Sequence, residues 1–474
     1  MNGSLRRILR RRSTLRPSPR PGPGARWAAR LSLPAALLAG AAILALGPAG
    51  PASAAPADRS QQPTRTSEQL RKPVLVGADM WERRPRMLAA GLGFTDIIGV
   101  DGMNGDDLAA SEAAVRAAGG AWNSDLTCEA APALGDYTSA ASPNAVAFSY
   151  GFPVHGDAGL PVEFSWPVLP STLGAADFRV TLTDGSVVMP DAAAVFPNFE
   201  YNERSTVVLF GRFGNRYPTG DPRSNYPRRI EVVKDDSPLR LVGKRGRRVV
   251  TVSAVGMSAS PTASPYDDPG AAPADRTGPR LAAAKLTRMS RSGESAPPAF
   301  RTSLPNDGRA LYGPRARFRL RMLTTGGFSP DGVLGVKPTE FERYFQIVAR
   351  APGGRRVVIR KVGKTYRIGR GWLRVVGLAD LGKRQDSYDD CYDEDHDNQI
   401  DVILNGDRKG RAAARIRTLR IPASGGYDPF YNPGGPGSDP TPGVAYTSPG
   451  PTVDQRVTIA LRDPLTVTYR RPAR

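Results

Sequence analysis

The chain has 474 residues, with 65 Lys plus Arg against 45 Asp plus Glu and a formal net charge of +20. That length can bury two or three cores at roughly 100 to 200 residues per domain, and 51 Gly with 45 Pro stay below the share of about 25–30% that marks low-complexity sequence. Two Cys and two His exclude a disulfide-dense scaffold and a four-cysteine zinc framework, and they leave little for histidine relay chemistry.

Residues 1 to 30 hold nine Arg and no acid, residues 31 to 47 are apolar, and Ala52-Ser53-Ala54 follows with small residues. This order predicts a secretory signal peptide over residues 1–54. Arg11-Arg12-Ser13-Thr14-Leu15-Arg16 partly resembles a twin-arginine signal, so export by either the Sec or the Tat route is expected. The apolar run contains Pro34 and sits at the bottom of the ~17–25 residues a spanning helix needs. The mature chain is therefore expected to lack a transmembrane helix and to be secreted or held in the cell envelope.

The expected fold is mainly β, with two antiparallel β-sandwich-like domains and a small mixed N-terminal region. After a polar linker over 55–72, the mixed α/β region spans 73–150. There Asp106 or Asp107 can cap a helix that runs to Ala118 and ends at Gly119-Gly120. A sandwich-like domain follows over 151–257, with short β-branched and aromatic runs and Asp184-Gly185 placed as a type I′ hairpin turn. A Pro, Ala and Ser-rich linker over 258–280 marks the boundary. The basic β-rich domain, 281–474, has the runs RFRLRML, RYFQIVAR, RRVVIRKV and ARIRTLRI, and VTIALRDPLTVTY reads as a closing hairpin. Residues 425–451 form a Gly, Pro and Tyr loop whose rings could line a binding surface.

Charge is segregated along the chain. From Leu281 onward there are 33 basic and 19 acidic residues, and nine of those acids fall within 386–407, where no Lys or Arg occurs. In that stretch Asp393, Asp395, Asp397 and Asp401 stand at loop positions 1, 3, 5 and 9, with Gln399 at position 7 to offer its carbonyl. Alternate carboxylates can converge on a hard cation that takes six to eight oxygen ligands. The stretch resembles the calcium loops of EF-hand, dockerin and thrombospondin type 3 repeats. The resemblance implies a structural Ca²⁺ site, although Leu404 stands where those loops place a bidentate acid. Ile400 to Leu404 reads as a strand, which puts the loop between strands, with Asp389, Asp390 or Asp407 able to complete the shell.

Cys128 and Cys391 are the only thiols, and in an oxidising compartment an even count favours a disulfide between them. Arg315, Arg317, Arg319 and Arg321 alternate with Ala316, Phe318 and Leu320. A period-two strand would set all four on one side as a cationic ridge. Arg355, Arg356, Arg360, Lys361, Lys364, Arg367, Arg370 and Arg374 extend this charge. Such a surface would attract an anionic polysaccharide or another envelope polymer. The side that carries the four arginines lacks the aromatic rings of a single-strand binder, which argues against nucleic acid.

No complete catalytic motif is present. Glu200 and Glu203 between two β segments are the one acid pair a hydrolase could use, yet on a strand they would face opposite sides. The sequence therefore reads as a secreted, calcium-stabilised β protein with a binding or adhesion role at the envelope. The alternative is a secreted hydrolase acting on an acidic polymer, with calcium as a structural ion.

Overall fold

The computed structural model describes residues 74–75, 77–91, 94–120, 122–124, 126–195, 203–215, 221–245, 248–261, 281–290, 308–325, 335–383, 385–394, 398–422, 427, 453–463, 465 and 468–469. The expected signal peptide and first linker lie outside these residues, as do all but the first four residues of the 258–280 linker and nearly all of the 425–451 loop. The fold is mainly β, and among the described residues every ladder but one is antiparallel.

Two sheets enclose the first core. One runs in the order Met87–Ala90, Asp157–Phe164, Thr206–Gly211, Ala192–Ala194, with Phe94–Ile98 also joined to the second strand. The other runs Ser258–Ala259, Pro227–Val232, Phe178–Leu182, Val187–Val188. Leu160, Val162, Phe164, Val207 and Leu209 of one meet Phe178, Val180, Ile230 and Val232 of the other in one apolar cluster. Burial of this kind contributes roughly 1.5–3 kcal/mol per large side chain. Beside this pair lies the hairpin Arg240–Arg245 with Arg248–Ser253. Gly243 within it meets the Trp166 ring so closely that a Cβ there would lie 2.1 Å from Cε3.

The helix expected before Gly119 spans Leu108–Ala117, and its cap is Asp107, whose carboxylate accepts from the Ala110 amide. The turn at Asp184-Gly185 does join Phe178–Leu182 to Val187–Val188, but it is not a type I′ turn. Only Gly185 there has positive φ, 88°, whereas a type I′ turn needs two such residues. The Asp184 carboxylate holds the turn by accepting from the Ser186 amide and hydroxyl.

Two further sheets form the second half. A six-stranded sheet runs Tyr366–Ile368, Gly371–Ala379, Gln399–Gly406, Phe318–Thr324, Leu281–Arg288, Thr458–Ile459. A four-stranded sheet runs Arg356–Ile359, Gln346–Arg350, Ile416–Ile421, Val453–Arg456. Phe318, Leu320, Met322, Val402 and Leu404 face Ile347, Ile359, Ile416 and Leu419 across the second core. The expected closing hairpin does not form, because its segments go to separate sheets. Thr458–Ile459 pairs in parallel with Leu281–Arg288, and Thr468–Tyr469 pairs with Val74–Leu75. That last ladder brings the two ends of the described chain together.

Candidate functional site

The strand Phe318–Thr324 is buried on both faces. Phe318, Leu320 and Met322 enter the second core, so the period of two turns Arg319, Arg321 and Leu323 to the opposite side. Pairing sets Lys285 and Asp401 on either side of Arg321 and Gln399 beside Leu323. The first half covers this polar face: Trp81 packs with Leu323 and Ala283, and carboxylates arrive from Asp79 and Glu203.

Arg321 is the centre of the contact. Its Nε donates to Asp401 Oδ1 at 2.8 Å and its Nη2 to Oδ2 at 2.9 Å, a two-pronged pair. Nη2 also lies 2.6 Å from Asp380 Oδ1. Nη1 reaches Glu203 Oε1 and Gln399 Oε1, both at 3.3 Å. Arg319 Nη2 donates to Asp79 Oδ1 at 3.4 Å. Both arginines are 1% exposed, and Asp79, Glu203, Asp380 and Asp401 are no more so. Asp380 holds its place with φ of 67°, a left-handed conformation Asp adopts more readily than most residues.

Polar contacts continue to either side. Lys285 Nζ donates to the carbonyls of Gly77 at 3.0 Å and Met80 at 2.6 Å and pairs with Asp463 at 2.8 Å. Asn398 Nδ2 donates to Glu163 Oε1 at 2.8 Å and to the Thr324 carbonyl at 3.2 Å. Burial raises the Glu163 carboxyl well above its ordinary range, and the Asn398 amide offsets this only in part. Burial also pushes Asp79 up to about 7 against the attraction of Arg319, Arg321 and Lys285. The arrangement is a dry, charged weld between the two halves.

The expected ridge is thereby corrected. Arg315 ends a short 3₁₀ turn, Gly313–Arg315, and is exposed, while Arg317 is half-buried and donates to the Gly406 carbonyl. Arg319 and Arg321 lie inside, neutralised by acids, and are not offered to a polyanion. The alternation was real, but the face it defines is covered by the first half. The acids that draw these arginines inward are Asp79 and Glu203, more than a hundred residues distant in sequence.

Cys128 and Cys391 are joined in the expected disulfide, but the acids around Cys391 depart from expectation. Asp390 Oδ2 accepts from the Thr127 amide and Asp389 Oδ2 from the Glu129 amide, so these acids clasp the backbone beside Cys128. Asp407 accepts from the amides of Arg411 and Ala412. Asp401, expected as a calcium ligand, lies on the strand Gln399–Gly406 with its carboxylate bound to Arg321, and the Gln399 side chain turns the same way. Asp393 is exposed, and Asp395 and Asp397 lie outside the described residues. Among the described residues no three His, Cys, Asp or Glu side chains group as a metal would require. Of the possible hydrolase pair, Glu203 is buried against Arg321 and Glu200 is outside the described residues.

No family model matches the chain, and no curated protein matches it. No helix among the described residues is long and apolar enough to cross a membrane.

Two outcomes follow from the weld. Asp401→Asn leaves Arg321 without its two-pronged partner, a loss of about 3–5 kcal/mol for a broken buried pair. Chemical denaturation should show the same loss with and without Ca²⁺, and a loss seen only with Ca²⁺ would return Asp401 to a metal. Asp79 keeps its proton to about pH 7 in the folded chain and to only ~4 when unfolded. Its stabilising contribution is full below pH ~4 and is lost as pH rises towards 7. Relative to Asp79→Asn, the wild type should lose stability across that window; parallel curves would show that Asp79 does not titrate there.

Proposed function

We propose that the protein is an exported β-rich binding protein of the cell envelope that engages an anionic polymer without catalysing a reaction. The observation that carries this is the fate of charge in the second half. Asp380 and Asp401 are drawn into the weld, Asp389 and Asp407 are tied to backbone amides, and Asp390 is shared between the Thr127 amide and Lys337. Arg355, Arg356, Arg360, Lys361, Lys364, Arg367, Arg370 and Arg374 are all exposed, and of these only Lys361 pairs with a described acid, Glu342. The cationic surface thus lies over residues 355–374. A surface of uncompensated guanidiniums concentrates polyanions, and its pull weakens as salt screens it.

The hydrolase reading has no support from Glu203, whose carboxylate is committed to Arg321. Calcium enters the proposal only through Asp393, Asp395 and Asp397, a reduced set that would hold the ion weakly, near the ~10⁻⁴–10⁻³ M of extracellular modules.

The purified chain should be retained on immobilised polygalacturonate and not on neutral dextran at about 0.15 M salt; equal passage through both ends the binding proposal. Asp395→Ala with Asp397→Ala should lower the melting temperature relative to wild type only in millimolar Ca²⁺. Identical differences with calcium and with chelator remove the ion from the proposal and leave the polymer-binding part standing.

A further inference from the structure

An open cleft of about 890 Å³ lies where the chain passes from Val453–Arg456, at the edge of the four-stranded sheet, to Thr458–Ile459, at the edge of the six-stranded one. Three guanidiniums line it, from Arg350, Arg417 and Arg456, all exposed. Arg350 donates to the Gly354 carbonyl at 3.3 Å, and Arg417 to the carbonyls of Ala414 at 3.1 Å and Ile416 at 2.8 Å. These neutral acceptors orient the side chains without cancelling their charge. The nearby carboxylate of Asp454 is taken by Arg420 at 2.6 Å. Glu82 on the cleft wall is held by both prongs of Arg86, at 2.7 and 2.6 Å.

We propose that this cleft is the specific seat for a linear polysaccharide bearing carboxylate groups, a site that rests on the polymer-binding reading above and gives it a location. Its volume falls within the ~300–1,000 Å³ of small-molecule sites, enough for a short segment of chain. The fork of a guanidinium matches a carboxylate in plane and in donor spacing, which an ammonium does not. Between the arginines, Thr418, Gln455 and Thr458 present hydroxyl and amide groups suited to sugar hydroxyls. Among the described residues no aromatic ring lines the cleft, so the described lining offers unpaired bases no platform for stacking. Arg350 pairs across its ladder with Arg356, so a polymer leaving the cleft meets the cationic surface over 355–374 directly. The cleft supplies register and the flanking surface supplies attraction.

The test compares two charge-matched triple variants of the full chain. One carries Arg350→Gln, Arg417→Gln and Arg456→Gln. The other carries Arg240→Gln, Arg245→Gln and Arg248→Gln on the hairpin of the first half, none of which lines the cleft. The six side chains are exposed, and melting curves matching wild type confirm folding. With polygalacturonate oligosaccharides as probe at about 0.15 M salt, the cleft variant should lose affinity by at least about tenfold and the hairpin variant by less than about twofold. Equal losses overturn the cleft and reduce the attraction to net charge, leaving polymer binding intact. If wild type itself shows no binding, both the polymer reading and the cleft fall. Tighter cleft-dependent binding of single-stranded DNA than of the oligosaccharide overturns the ligand class.

Discussion

The two-pronged pair between Arg321 and Asp401 is the constraint on which the rest of the structure depends. Taking both ions from water costs several kcal/mol each, and the cost is recovered only when geometry is good and the remaining donors are also satisfied. Arg321 meets that condition by using all three nitrogens on Asp401, Asp380, Glu203 and Gln399. Three of those partners come from its own sheet neighbourhood, but Glu203 comes from the first half, as does Asp79 on Arg319. Each half alone would leave the set incomplete, Arg319 lacking Asp79 on one side and Asp79 and Glu203 lacking their arginines on the other. Docking completes the set, and a shift of a few ångströms would leave charges buried without partners. The weld therefore fixes the register of the halves more than it adds net stability.

The same demand shapes the surface. A second half with 33 basic and 19 acidic residues that sends Asp380 and Asp401 inward, spends Asp389 and Asp407 on backbone amides and gives Asp390 to Thr127 and Lys337 has fewer carboxylates left for its surface arginines. Exposed arginines over 355–374 and in the cleft then remain uncompensated. Cationic character outside is in part a consequence of ionic order inside. Arg-rich composition alone would not produce this asymmetry, because surface ion pairs form readily wherever acids are available.

What was legible in the sequence follows the range over which each interaction acts. The Asp107 cap depends on three residues, and it reads correctly. The Cys128 and Cys391 pairing follows from an even count of two thiols. The period of two at Phe318 to Met322 correctly marks a strand with two unlike faces. What a period cannot reveal is whether the polar face meets water or another part of the chain, since that depends on Asp79 and Glu203. Buried central strands usually read as continuous apolar runs, and this one instead alternates arginine with Phe, Leu and Met. The reading of Asp401 failed for a related reason. Alternate residues share a side both in a calcium loop and on a strand, so spacing cannot distinguish the two. Chain direction does: Gln399 already lies in the strand, and its face belongs to Arg321.

The two cores are separate apolar clusters, yet three long-range ties join the segments around them. Val74–Leu75 pairs with Thr468–Tyr469, Cys128 is bonded to Cys391 across 263 positions, and the weld lies between. The disulfide limits how far the segments can separate even when the weld opens, and the clasp of Asp389 and Asp390 on residues 127–129 keeps its sulfurs beside one another. Loss of a weld carboxylate would then loosen the ionic contact without releasing the chain. Such a tie favours reclosure over dispersal, because the charged faces stay at high effective concentration for one another.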